Sequence, residues 1–223
     1  MRHGSCRSVW QLLKALALLL ACTATVRAGT LEVHVRDDTG KPVAGAVVFV
    51  DAPGVSAVAG AQQGTAVMDQ IGKKFVPQVL VVPAGARVSF PNSDNIRHHV
   101  YSFSEARNFE LPLYAGTPAE PVSFPVSGVV VLGCNIHDWM RGYVVVVPQP
   151  FFAQTNADGV ATLGSLPPGR WRVQGWHPEL AEPRPAAGGE IDGAASTSSE
   201  LRLSLKRKLQ LRRAPGGRGA ERY

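Results

Sequence analysis

Cysteine and methionine are what this 223-residue chain has least of, three of each, and aromatic residues make up only 7%. With only Cys6, Cys22 and Cys134, no framework of several disulfides can hold the fold, so a packed core must. Charge is also thin, at 18% of residues. Helical periodicity is missing: after residue 28, no stretch of twelve or more residues repeats its apolar positions at the spacing of an amphipathic helix. Nor do Asp69, Glu105 and Glu110 show a spacing that would pair carboxylates for acid–base chemistry.

One long apolar run is present, Ala15 to Cys22. It follows Arg2, His3, Arg7 and Lys14 and precedes Val26-Arg27-Ala28, a small-x-small cleavage pattern. We therefore expect a secretory signal over residues 1–28, too short in its apolar part to span a bilayer, and a periplasmic destination. Leu19-Leu20-Ala21-Cys22 offers a second reading, a lipoprotein with an acylated Cys22, although leucine fits poorly before the small residue. Removal of 1–28 would leave Cys134 as a lone thiol in an oxidising compartment, a liability unless something uses it.

That segment holds four of the 23 basic residues and none of the 17 acids, so the formal charge falls from +6 to +2 on its removal. Seven further basic residues lie between Lys206 and Arg222, against Glu221 alone. The body from 29 to 205 is thus about −4, and the pI of about 9.5 comes from the ends. This is not the charge pattern of a nucleic-acid protein. We expect residues 207–223 to be a basic, disordered tail. Membrane contact would come only from lipidation at Cys22 or from that tail.

The patterns that remain have period two or are short apolar runs. Leu31-Glu32-Val33-His34-Val35-Arg36 alternates as a strand buried on one face would, and Asp38-Thr39-Gly40-Lys41-Pro42 marks a turn. Further strands are expected at 46–50, 78–82, 87–90, 99–103, 122–124, 128–132, 143–147, 161–163, 171–175 and 201–205. Glu182–Ser199, rich in Pro, Gly, Ala and Ser, reads as a loop or linker. Many short strands at this spacing predict an all-β sandwich or barrel.

The sharpest chemical signal is Cys134-Asn135-Ile136-His137-Asp138-Trp139-Met140, with a thiol, an imidazole and a thioether three residues apart. Soft sulfur donors with imidazole suit copper, and two imidazoles, one thiolate and a weak axial methionine form the type 1 site that carries electrons. The second imidazole would come from His98 or His99, and strand alternation puts these on opposite faces. Zinc seldom takes methionine, and a structural zinc site would want further thiolates or imidazoles. A dinuclear copper centre would need a second cysteine. The lack of His-x-His pairs, of histidines beside Cys134 and of an open coordination position argues for electron transfer, not an enzyme. Scarce methionine argues against a methionine-rich copper carrier.

Asn92, six residues before His98, followed by His98-x-Val100, resembles the first-ligand segment of plastocyanins and amicyanins. Cys134-x-x-His137-x-x-Met140-Arg141-Gly142, leading into Val144-Val145-Val146, resembles the amicyanin ligand loop, and Phe75-Val76-Pro77 and Val82-Pro83-Ala84-Gly85 resemble preceding strands. The resemblance covers roughly residues 67–148. It implies a Greek-key cupredoxin sandwich over 64–149 of the "methylamine utilization protein" type. It further implies one mononuclear copper held by His98, Cys134, His137 and Met140, cycling between Cu(I) and Cu(II). Its expected partners are redox proteins, such as a cytochrome or a periplasmic dehydrogenase, with His137 as the electron port. Copper delivery or sequestration by the same ligands is the alternative function. The chain departs from the family in carrying His99 where an Asn usually ties the ligand loops together, and Arg97 where Pro is common.

Gly40-Lys41-Pro42-Val43-Ala44-Gly45-Ala46, and later Ala157-Asp158-Gly159-Val160-Ala161 with Leu166-Pro167-Pro168-Gly169-Arg170-Trp171, resemble carboxypeptidase-regulatory-like (transthyretin-like) sandwiches. That implies one split module, 30–53 plus 150–206, with the cupredoxin domain inserted in it.

Overall fold

Alternation on the first strand decides where it lies. In β1 (Gly29–Asp37), Leu31, Val33 and Val35 are fully buried while Glu32 is exposed. The computed structural model describes residues 28–52, 64–118, 120–194 and 196–206, so the expected signal, the Cys22 lipidation site and the basic tail fall outside the described residues. Among the described residues the chain is all-β, without a helix.

After β1 comes β2 (Val47–Asp51). A central run follows: β3 (Ala66–Val67), β4 (Asp69–Gln70), β5 (Phe75–Val76), β6 (Val79–Pro83) and β7 (Ala86–Ser89). It continues through β8 (His98–Ser104), β9 (Arg107–Tyr114), β10 (Val122–Phe124), β11 (Gly128–Gly133) and β12 (Arg141–Val147). The last strands are β13 (Phe152–Gln154), β14 (Val160–Leu166), β15 (Arg170–Trp176), β16 (Ala186–Asp192) and β17 (Thr197–Leu203).

The early strands pair with the late ones. β1 lies between β14 and β17, and β2 lies between β13 and β15, with β16 beyond β15. These two sheets enclose one core that includes Leu31, Val33, Val50, Leu163, Trp171, Trp176 and Leu203. The central strands form a five-stranded sheet ordered β6-β12-β11-β8-β9 and a three-stranded sheet β10-β7-β3. Between them lies a second core, with Phe75, Phe90, Phe124, Val88, Val130 and Leu132 at its heart.

β12 explains why Val144-Val145-Val146-Val147 is a continuous apolar run and not an alternating one. Val144 and Val146 enter the second core, while Val145 and Val147 enter the first. Val79, Val81, Val129 and Tyr143 pack with them against the first core, and the Tyr143 ring lies 5.1 Å from that of Trp176. A strand covered on both faces has no polar side to show.

Six strands fall outside the sequence pattern, the short β3, β4, β5 and β13 and the longer β9 and β16. β9 carries Pro112 and several polar residues, which suits its place at the edge of the five-stranded sheet. The segment 182–199, read as a loop, instead contains β16 and the start of β17. Its small residues allow close packing: a Cβ on Gly188 would come within 3.1 Å of the Val173 carbonyl and 3.2 Å of Leu201. Glycine-rich composition here marks tight approach to β15 and not a linker.

Candidate metal centre

The loop between β7 and β8 is built around Asn92. Its side-chain amide donates to the carbonyls of Ile96 (2.8 Å) and Tyr114 (2.9 Å), while its Oδ1 accepts from the Asp94 amide at 3.1 Å. Its own N–H donates to Gly116 O at 2.8 Å. Four bonds from one buried residue hold the loop that delivers His98 to the start of β8. Beneath it, Tyr114 donates to Phe90 O at 2.6 Å and accepts from Gln70 Nε2. Burial pushes the Tyr114 pKa up to about 12.

The second loop joins β11 to β12. Gly133 pairs with Tyr101 of β8, and a Cβ at Gly133 would lie 2.8 Å from the Tyr101 ring, so only glycine allows the strands to approach here. Cys134 follows at once and is 3% exposed. The Met140 amide donates to His137 O at 2.9 Å, closing the loop as a tight turn. Gly142 has the same role one strand on, where a Cβ would strike Phe75 at 2.8 Å.

Together these loops bring His98, Cys134 and His137 to one point, with one donor atom from each within 4.8 Å of the others. Cys134 Sγ lies 3.9 Å from His98 Nδ1 and 3.7 Å from His137 Nδ1. Two donors about 2.0 and 2.3 Å from a shared ion, and about 120° apart, would be about 3.7 Å from each other. The spacing therefore fits one metal ion that two imidazole nitrogens and the thiolate sulfur would hold together. Met140, 2% exposed, is buried in the same cluster as Cys134 and lines with it a groove of about 530 Å³ that also takes in Tyr101, Phe103, Val131 and Asp138. The donor set is that of type 1 copper.

The two adjacent histidines of β8 part company. His98 is fully buried and turns toward Cys134, whereas His99 Nε2 lies 2.8 Å from Glu110 Oε1 on β9. The His99 ring also packs at a tilt against Tyr101, 5.4 Å between centroids, and Tyr101 packs likewise against Phe103 at 5.2 Å. His99 thus joins neighbouring strands of its own sheet.

Electrostatics disfavours protonation of His137. Burial, then the neighbouring His98 and Lys73, lower the pKa of His137, which keeps its lone pair available near neutral pH. Burial would raise the pKa of Asp94, but the Lys73 amide, the His98 ring and the Gly72 amide outweigh it, and the carboxyl stays below its ordinary range. Among the donor residues His137 has most access to solvent, at 9% exposure, and the Trp139 ring sits 5.2 Å from it, itself 68% exposed beside exposed Ile136. Asp94, behind His98, had no signal in the sequence beyond its four-residue distance from the ligand candidate.

No family model matches the chain, and no curated protein matches it either. Part of the chain is similar to solved structures. A reduced Cu(I) form of an amicyanin variant is 24% identical over 45% of this chain and 98% of the amicyanin, with a TM-score of 0.35. A purple cupredoxin from Nitrosopumilus maritimus is 23% identical over 37% of this chain and 99% of its own, at 0.34. A copper-containing nitrite reductase from Thermus scotoductus is 23% identical over 51% of this chain and 28% of the reductase, at 0.36.

Proposed function

We propose that this chain is an exported type 1 copper protein that passes single electrons between redox proteins and does not itself catalyse a reaction. The observation that carries the reading is the convergence of His98 Nδ1, His137 Nδ1 and Cys134 Sγ beside a buried Met140. Copper held there would supply a one-electron couple, Cu(II)/Cu(I). The protein's part is to hold its donors still in either state. Cys134 sits in a packed core, His98 is fully buried, and Asn92 and the His137–Met140 turn fix their loops. Little rearrangement between oxidation states means fast exchange.

His137 is the electron port in this reading. It is the donor nearest the surface, and Trp139 and Ile136 give it an apolar surround on which a cytochrome or dehydrogenase could seat. The strand pairing of β1 and β2 with β13–β17 supports 30–53 and 150–206 as one transthyretin-like module with the cupredoxin domain, 64–149, inserted in it. Export to the periplasm rests on the basic, apolar and small-x-small pattern of residues 1–28.

The full-length chain loaded with Cu(II) tests the reading. We expect an intense visible thiolate-to-copper charge-transfer band that bleaches with one electron per chain and returns on reoxidation. A colourless copper-loaded protein, or a band that a reductant cannot bleach reversibly, overturns it.

A further inference from the structure

Behind the fully buried ligand candidate lies a carboxylate. His98 Nε2 is 2.7 Å from Asp94 Oδ2, while Nδ1 of the same ring faces Cys134. Asp94 is tied down in turn. Gly72 N donates to its Oδ1 at 2.6 Å and Lys73 N to its Oδ2 at 2.8 Å, both from the tight turn between β4 and β5. The carboxylate therefore bridges a ligand candidate and a backbone turn on another strand pair. The neighbouring pair, His99 with Glu110, looks alike in sequence but is different in kind. The Glu110 side chain is 67% exposed, against 14% for Asp94, so water screens the one and much less the other.

We propose that Asp94 is a positioning residue of the copper site, holding the proton of His98 on Nε2 so that Nδ1 is bare toward the metal, and biasing the site toward Cu(II) by its charge. The inference rests on the type 1 reading above. Its first half is hydrogen-bond logic. A neutral imidazole has one donor and one acceptor nitrogen, and a carboxylate oxygen at 2.7 Å can only accept, so Nε2 donates and Nδ1 keeps the lone pair. The second half is charge. A carboxylate on the far nitrogen makes the ring a stronger donor, and one extra negative charge behind a buried ligand stabilises the more positive ion. The two amides of the turn keep that carboxylate from swinging round to compete for the metal itself.

The test uses the full-length, copper-loaded chain at one fixed pH, comparing wild type with Asp94→Asn and Asp94→Glu. Asp94→Asn keeps the charge-transfer band, loses about 10- to 100-fold in Cu(II) affinity, and shifts the Cu(II)-to-Cu(I) affinity ratio by about tenfold, a rise in potential of about 59 mV for a one-electron couple. Asp94→Glu recovers part of that shift because the charge returns. A potential for Asp94→Asn equal to that of wild type overturns the proposal. Nitrogen NMR of the metal-free wild type supplies a second arm that needs no variant to fold. It should show a slowly exchanging proton on His98 Nε2 and none on Nδ1, and the opposite tautomer overturns the proposal. A colourless copper-loaded wild type instead sinks the type 1 reading, and the NMR arm still judges the Asp94–His98 pair on its own.

Discussion

Val144 and Val145 are consecutive on β12 and are buried in different cores. The five-stranded sheet is therefore a shared wall, with the centre's core on one face and the core of the flanking strands on part of the other. A fragment of residues 64–149 keeps His98, Cys134, His137 and Met140 and the whole second core, but it uncovers Val79, Val81, Val129, Tyr143, Val145 and Val147. Full burial of a valine is worth about 1.5–3 kcal/mol, which applies to Val145 and Val147, while Val79, Val81 and Val129 are partly buried and contribute less. We expect the fragment to bind copper with the parent's spectrum, to melt below the parent and to self-associate. Light scattering and thermal melting check this, and Tyr143→Lys with Val145→Thr should restore a monomer. A monomeric fragment as stable as the parent would show that the shared wall contributes nothing.

Cys134→Ser removes the thiolate that would give the visible band. We expect loss of colour with little change in fold, since the residue is small and its neighbours stay packed. Met140→Leu conserves volume and should leave the band in place while raising the potential, because a weak donor to Cu(II) has gone. Visible spectra and redox titration of the two variants separate these effects.

The two histidines of β8 should respond oppositely. His99→Asn breaks a pair with the exposed Glu110 and shrinks a buried ring packed on Tyr101, so it should retain the band at a stability cost of about 0.5–3 kcal/mol. His98→Asn should abolish the band and leave Asp94 without its ring partner. A band lost in His99→Asn and kept in His98→Asn would reverse the assignment.

Tyr114→Phe should destabilise the fold by about 1–3 kcal/mol, because Phe90 O and Gln70 Nε2 lose a partner in the interior. The same residue predicts an alkaline limit. Its folded pKa, about 12, is above the ordinary value of 10.0, so the unfolded chain gives up the proton first. The stability it contributes is complete below pH 10.0 and declines as the pH rises toward about 12. Denaturant midpoints between those values, compared for wild type and Tyr114→Phe, should converge.

Gly159 stands at a positive φ of 74°, and a Cβ there would lie 2.5 Å from the Val35 carbonyl and 3.0 Å from Pro42. Gly159→Ala should cost more than about 1 kcal/mol. The charge-transfer band should be unchanged, since the turn belongs to the flanking strands. A urea midpoint equal to wild type would count against the tight approach of β1.

The alternation of Leu31, Val33 and Val35 and the three-residue spacing of Cys134, His137 and Met140 were legible without coordinates, because strand period and a seven-residue loop are local properties. The pleat put His98 and His99 on opposite faces, but only the resemblance of Asn92 and His98-x-Val100 to a first-ligand segment pointed to His98. What lay behind each histidine was not legible, since Asp94 and Glu110 are equally plausible partners in a string of letters. Only the packed turn at Gly72 and Lys73 makes Asp94 a half-buried, fixed charge, while Glu110 stays in water. The same holds for β12 and β16. A run of valines reports that both faces are covered, and a glycine-rich stretch reports a lack of side chains. Neither says what does the covering, because a two-residue period records how many faces leave water, whereas the neighbour on each face comes from strands far away in the chain and is chosen by packing.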